Sequence, residues 1–77
     1  MRRALYTIYG TFKNGEYYVA TANSSAHFMR VWEKIASDEE LRLPHLVEDR
    51  HSNDMIKDGK ATNLAPLWMK NYLAGMV

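Results

Sequence analysis

The chain has 77 residues, 47% of them hydrophobic, and ten Lys and Arg against nine Asp and Glu give a net charge of +1. This length supports one modest core, so we expect a single small domain over residues 1–77. The composition excludes a disordered chain, and the absence of cysteine excludes disulfides, thiolate metal sites and cysteine nucleophiles. No apolar run approaches a membrane span, and the near-zero charge argues against a strongly basic nucleic-acid-binding domain.

Two stretches rich in Tyr, Thr, Val and Ile predict a β-hairpin, at about residues 3–12 and 16–22. The dipeptide Asn14-Gly15 lies between them. It favours a two-residue type I′ turn, because both central residues of that turn need positive φ, which Asn and Gly tolerate best.

The predicted turn decides which aromatic side chains share a face of the hairpin. A two-residue loop pairs Phe12 with Tyr17, and the alternation of strand side chains then separates two faces. Phe12 and Tyr17 lie with Tyr6 on the core face, whereas Tyr9 and Tyr18 lie on the opposite face. A slip of one residue would exchange the faces of one strand, so this assignment depends on the turn.

The residues after the hairpin predict an amphipathic helix over about 25–36. Its apolar residues recur at the i, i+3, i+4, i+7 spacing of one buried stripe: Phe28, Val31, Trp32 and Ile35. Asn23 and Ser24 are good N-cap residues just before it. We expect this helix to dock on the core face of the hairpin, where Gly10 leaves a gap that a helix side chain could enter.

The middle of the chain predicts irregular or short-helical structure. Ser37, with Glu40 three residues on, forms a capping box, which favours a short helical segment ended by Pro44. Alternatively, Pro44 begins another helix, or residues 45–47 form a third strand, and the sequence leaves these alternatives open. Asn53 is a candidate cap for one further helical turn.

A C-terminal apolar helix is predicted over about residues 65–74, with Pro66 tolerated in its first turn. Its apolar side chains cover more than half of its circumference: Leu64, Leu67, Trp68, Met69, Tyr72 and Leu73. A helix this apolar must bury two sides, so we expect one side to face the first helix or the hairpin and the other to face a partner. The elements together predict an α+β fold.

Exposed aromatic residues are the leading candidates for a functional surface. Tyr is enriched in binding hot spots because it combines a large rigid area with a hydroxyl group. A two-stranded hairpin also leaves unpaired edges that a third strand, a second copy or a target must cover, which makes a homodimer one alternative. The predicted protein-binding residues are Leu5, Tyr9, Tyr18, Trp68 and Tyr72.

A basic stripe on the first predicted helix suggests an alternative function. His27, Arg30 and Lys34 recur at i, i+3 and i+7, and such a stripe can contact the phosphates of a nucleic acid. Lys34 is also favoured near a helix C-terminus simply by the helix dipole. We therefore favour a solvated helix face over a nucleic-acid site.

A second alternative is a small metal-dependent enzyme. Two imidazoles and two carboxylates lie close together in the middle of the chain: His45, Glu48, Asp49 and His51. Imidazole and carboxylate groups bind divalent cations, but this spacing matches no established zinc signature. We favour a polar loop, and we expect no cofactor, since no phosphate-binding glycine loop and no nucleophile–base arrangement is present.

The chain combines small size, a start at Met1, no cysteine, no catalytic motif and many aromatic residues. In this combination it resembles the small accessory proteins that bacteriophages encode to bind and modulate host proteins. The resemblance implies a non-enzymatic module that occludes or remodels a protein partner in the cytoplasm of a bacterial host.

Overall fold

The computed structural model describes residues 4–75. Its elements in chain order are β1 (Tyr6–Thr11), β2 (Tyr17–Ala22), α1 (Ser25–Ala36), β3 (Leu46–Asp49), β4 (Asp54–Lys57), β5 (Lys60–Ala61) and α2 (Leu67–Ala74). The strands form one antiparallel sheet in the order β2-β1-β3-β4-β5. The predicted α+β class, with an N-terminal hairpin followed by a helix, is confirmed.

The core lies between one face of the sheet and the two helices. Tyr6 on β1 makes edge-to-face ring contacts with Phe28 of α1 at 5.6 Å and with Trp68 of α2 at 5.9 Å. The core residues are Tyr6, Ile8, Ala22, Phe28, Trp32, Ile35, Val47, Met55, Ile56, Ala65 and Met69. No helix among residues 4–75 is long and apolar enough to cross a membrane.

Helix α1 spans the predicted residues, and interactions between residues close in sequence explain its position. The Ser24 hydroxyl accepts a hydrogen bond from the His27 N–H at 3.0 Å and so caps the first turn. Phe28, Trp32 and Ile35 are the buried residues of the helix, and they belong to the predicted stripe. The helix therefore docks where its apolar stripe meets the hairpin.

The hairpin loop differs from the predicted two-residue turn. The Phe12 N–H donates to the Glu16 carbonyl at 2.7 Å, and the Gly15 N–H donates to the Phe12 carbonyl at 2.9 Å. These bonds close a three-residue loop, Lys13 to Gly15, in which Gly15 alone has positive φ, at 95°. The type I′ prediction is wrong, because the Asn14 Oδ1 accepts the Glu16 N–H at 2.9 Å and stabilises the longer loop instead.

The longer loop shifts the register of β2 by one residue. Thr11, rather than Phe12, lies opposite Tyr17, and Gly10 lies opposite Tyr18. The predicted faces of β2 are therefore exchanged: Tyr18 joins the helix-covered face, whereas Tyr17 is 80% exposed on the other. The predicted gap at Gly10 is present, but the Tyr18 ring fills it instead of a helix side chain.

The predicted capping box does not begin a helix. Ser37 is the C-cap of α1: its N–H donates to the Glu33 carbonyl at 3.0 Å, and the Asp38 N–H donates to the Ile35 carbonyl at 3.2 Å. The Asp38 Oδ1 accepts the Glu40 N–H at 2.9 Å, which makes a turn. The chain then returns beside the hairpin, where the Lys13 N–H donates to the Glu40 carbonyl.

The rest of the middle of the chain forms strands. Of the alternatives that the sequence left open, the third strand at residues 45–47 occurs, as β3, whereas the predicted irregular or short-helical structure does not. β3 pairs with β1 and places Val47 opposite Ile8, and both residues are fully buried. The β3–β4 register shifts between Val47 and Glu48, so Met55 is an extra residue of β4. This bulge lets the adjacent Met55 and Ile56 both be buried, which masks the alternation typical of a strand.

Helix α2 begins at Leu67, two residues later than predicted, directly after Pro66. Met69 is buried and Trp68 packs against Phe28 at 5.5 Å, so one side of α2 faces α1 and the sheet as predicted. Leu67 is 72% exposed on this helix.

Candidate protein-binding surface

The sheet face opposite the helices, here called the outer face, is the candidate site. Both helices contact the face that carries Tyr6 and Ile8, and no element among residues 4–75 covers the outer face. Strand pairing places side chains from different strands side by side on it. Five residues that are successive cross-strand neighbours form a row across this face from β2 to β5: Val19, Tyr9, Leu46, Lys57 and Lys60.

The β2 end of this row is apolar and exposed. Val19 is 60% exposed, and Tyr17, two residues before it on the same face of β2, is 80% exposed. Tyr9 and Leu46 are half-buried beside them. Contiguous exposed apolar side chains on a folded protein mark interaction sites more often than isolated ones do.

The β5 end of the row is cationic. Lys57 and Lys60 lie directly opposite each other, and both are exposed. Like charges at directly opposed positions of a sheet are unfavourable, so an acidic group placed near this pair would be stabilising. The outer face thus joins an apolar patch to a positive one on the same sheet.

The structure separates the five residues predicted to bind protein. Tyr9 lies on the outer face. Tyr18 lies on the opposite face, where its hydroxyl donates to the Arg42 carbonyl at 2.7 Å and its ring contacts Phe12 at 5.7 Å. Leu5 packs against the core.

The two predicted binding residues of α2 hold the helices together. Trp68 contacts the rings of Tyr6 and Phe28. The Tyr72 hydroxyl donates to the Met29 carbonyl at 3.2 Å and lies 3.5 Å from a carboxylate oxygen of Glu33. Burial, with the charge and hydrogen bond of Glu33, raises the pKa of Tyr72, so its phenol stays protonated as a donor between the helices.

The outer-face residues Tyr17, Val19 and Leu46 were missed by sequence reasoning. Tyr17 is predicted on the core face because a two-residue loop gives the wrong register, and Val19 shares the face of Tyr17 on β2. Leu46 lacked a neighbouring strand to define its face. A signal for the correct loop existed: the Asn14 side chain can accept a hydrogen bond two residues on, which favours the longer turn.

The basic stripe of the nucleic-acid alternative is present on α1. His27, Arg30 and Lys34 line one shallow surface depression together with Val31. The His27 Nδ1 accepts the Asn23 N–H at 3.2 Å, which gives this imidazole a structural role at the start of the helix. Arg30 and Lys34 are exposed.

The four residues of the metal alternative do not converge. Among residues 4–75, no group of three or more His, Cys, Asp or Glu side chains is arranged to hold a metal ion. The Asp49 carboxylate instead closes the β3–β4 turn, where Oδ1 accepts the N–H groups of His51 and Asn53, each at 2.9 Å. His45 lies before β3, and Glu48 lies opposite Asp54.

Burial raises the pKa of the Asp49 carboxyl, but hydrogen bonds from Asn53 and His51, with the charge of His51, outweigh burial and lower the pKa overall. The carboxylate is thus a turn-stabilising anion. A local hydrogen-bonding role explains the polar segment that sequence analysis singled out.

Comparison of the chain with protein-family models, with curated proteins and with solved structures found no match.

Proposed function

We propose that this protein is a non-enzymatic protein-binding module that uses the outer face of its sheet. The observation that carries the proposal is the exposed apolar patch formed by Tyr17 and Val19 beside Tyr9 and Leu46. Tyr17 and Val19 are largely exposed, so a partner that covers them gains the free energy of apolar burial, roughly 25 cal/mol per Å².

The pattern of the outer face defines the partner that it fits. The apolar patch of this face, with Tyr9 and Leu46 half-buried, suits an apolar surface on the partner. Lys57 and Lys60 at one end favour a partner with carboxylate groups at the matching edge. Action on a host protein, as the resemblance to phage accessory proteins implies, is part of this proposal.

The test compares protein capture by the full chain and by a Tyr9→Thr, Tyr17→Thr double variant. Both substitutions replace an aromatic residue with a β-branched one, which also suits a strand, and so remove the aromatic area. Immobilised wild-type protein is expected to retain specific proteins from a bacterial lysate that the double variant loses, read by quantitative mass spectrometry. Thermal unfolding followed by circular dichroism verifies that the variant is folded.

Leu67→Ala is the matched control, because Leu67 is an equally exposed apolar residue on α2. It should leave capture unchanged. Equal capture by the wild type and the folded double variant would show that the outer face is not the binding surface.

A basic-helix function is the second candidate, supported by the shared depression that His27, Arg30 and Lys34 line. It requires binding of labelled DNA or RNA that weakens steeply with salt, with a log–log slope of about −2 for two phosphate contacts. Fluorescence anisotropy measures this, and Lys34→Gln should reduce the slope by about one. No binding at low salt would remove this candidate.

A further inference from the structure

The β2 strand is an edge of the sheet with unused hydrogen-bonding groups. It pairs with β1 and with no other strand among residues 4–75. The Phe12 N–H donates to the Glu16 carbonyl, and hydrogen-bonded pairs alternate along an antiparallel ladder. The backbone N–H and C=O groups of the even-numbered residues of β2 therefore point toward β1. The N–H and C=O groups of Tyr17, Val19 and Thr21 therefore face away from the sheet.

The β2 edge carries none of the sequence features that prevent an edge strand from pairing with a strand of another molecule. Natural edges are shortened, charged, bulged or interrupted by proline. The opposite edge, β5, fits this rule, because it has two residues and carries Lys60. In contrast, β2 has six residues, Tyr-Tyr-Val-Ala-Thr-Ala, without charge, proline or glycine, and it pairs with β1 in continuous register.

We propose that β2 pairs antiparallel with β2 of a second copy of this chain, about a two-fold axis that passes midway between the two Val19 residues. This register places Val19 opposite Val19 of the second copy and Tyr17 opposite its Thr21. The outward-facing N–H and C=O groups of Tyr17, Val19 and Thr21 in both copies are then hydrogen-bonded. They form three residue pairs with two hydrogen bonds each, or about six bonds. The two sheets become one.

Three observations favour a second copy over an unrelated strand. Because β2 is uncharged, self-pairing opposes no like charges. Tyr17 meets Thr21, and Tyr18 meets Ala20, so an aromatic residue lies against a β-branched one and a large residue against a small one. The apolar row of Val19, Tyr9 and Leu46 then continues into the same row of the second copy.

The interface is small, so the dimer is reversible. A single pair of six-residue strands lies at the low end of specific interfaces, so we expect weak, concentration-dependent association. Pairing uses backbone groups, and it therefore does not rest on the proposed binding of another protein by the outer face.

Sedimentation velocity of the full chain between micromolar and millimolar concentrations tests the proposal. We expect the weight-average mass to rise from monomer to dimer. Val19→Lys places two ammonium groups opposite each other at the axis and should weaken association by about fivefold. Val19→Thr keeps the backbone and the strand propensity and should retain the dimer, and Leu67→Lys adds the same charge away from β2 and should leave association unchanged.

Two measurements on the wild-type protein locate the contact without relying on a variant. In mixed labelled and unlabelled samples, isotope-filtered NMR should show a contact between Tyr18 Hα and Ala20 Hα of different copies, since this pair is not hydrogen-bonded and lies close. Amide exchange at Tyr17, Val19 and Thr21 should slow as concentration rises.

A protein that stays monomeric at millimolar concentration with these amides unprotected would overturn the proposal. So would a dimer that Val19→Lys leaves intact. Protection of the β2 amides only on addition of a different protein would assign the edge to that partner instead.

Discussion

Gly10 and Tyr18 form a pair in which a missing side chain makes room for a ring. A Cβ built at Gly10 would collide with the Tyr18 ring and hydroxyl, and that hydroxyl is anchored on the Arg42 carbonyl. The phenol is a hydrogen-bond donor, and burial raises its pKa, so it stays protonated. This packing explains why a glycine occurs within β1, which lies between two other strands of the sheet.

Gly10→Ala should lower the free energy of unfolding by about 1 kcal/mol, because displacing the Tyr18 ring and its hydrogen bond outweighs the gain from removing glycine flexibility. In a Tyr18→Thr background the space is free, so the same substitution should be neutral or stabilising. Urea unfolding of the four proteins of this cycle measures both effects. Equal effects in the two backgrounds would rule out the steric explanation.

Asp49 gives the protein a pH-dependent turn. Its pKa is lower in the folded state than in the unfolded chain, so its carboxylate stabilises the fold above the unfolded pKa, near 4. This stabilisation is lost as pH falls through the folded pKa. The carboxylate is partly exposed, so solvent screening reduces the effect.

Asp49→Asn should lower the free energy of unfolding by about 1 kcal/mol at neutral pH, because the amide accepts the His51 and Asn53 hydrogen bonds more weakly. The difference from wild type should shrink as the pH is lowered below about 4. Urea titrations at several pH values measure it. A difference that is constant down to pH 2 would contradict this role.

At the scale of elements, the hairpin loop decides which residues of β2 are exposed. A loop of three residues places Tyr17 outside and Tyr18 inside, and one residue fewer would exchange them. The outer-face proposal and the edge proposal both depend on this loop, since each uses Tyr17 and Val19.

Gly15→Ala should destabilise the protein by about 1 kcal/mol, because φ at this position is 95° and alanine is strained there. Gly75 is the control, since its φ is −73° and alanine fits without strain. Thermal unfolding of both variants measures the contrast. A similar Tm loss in Gly75→Ala would show that the positive φ is not the cause.

At the scale of the whole molecule, α2 completes a core that the hairpin and α1 cannot close alone. Trp68 links the first strand to the first helix through Tyr6 and Phe28, rings that lie more than 35 residues away in sequence. The neighbouring Leu67 points to solvent.

Trp68→Ala should therefore cost about 3 kcal/mol of unfolding free energy, whereas Leu67→Ala should change it by less than about 0.5 kcal/mol. Urea unfolding of the two variants compares adjacent residues on one helix. Comparable losses would mean that α2 does not dock through Trp68.

The candidate site was only partly predictable. The importance of hairpin tyrosines and of an uncovered edge followed from composition and strand count, and Tyr9 does lie on the outer face. Tyr18, Trp68 and Tyr72 instead contribute to packing. Sequence reasoning could not distinguish these groups, because a tyrosine that packs and a tyrosine that binds have the same local pattern.

By itself, the sequence determined the elements that depend on nearby residues. The hairpin and α1 occur where predicted, because strand propensity, N-capping by Ser24 and the spacing of Phe28, Trp32 and Ile35 are local properties. The tertiary structure alone decided how the strands β3 to β5 pair and which face of the sheet is uncovered. These features depend on which strand lies beside which, and pairing between distant residues leaves no periodic signal in segments of two to four residues.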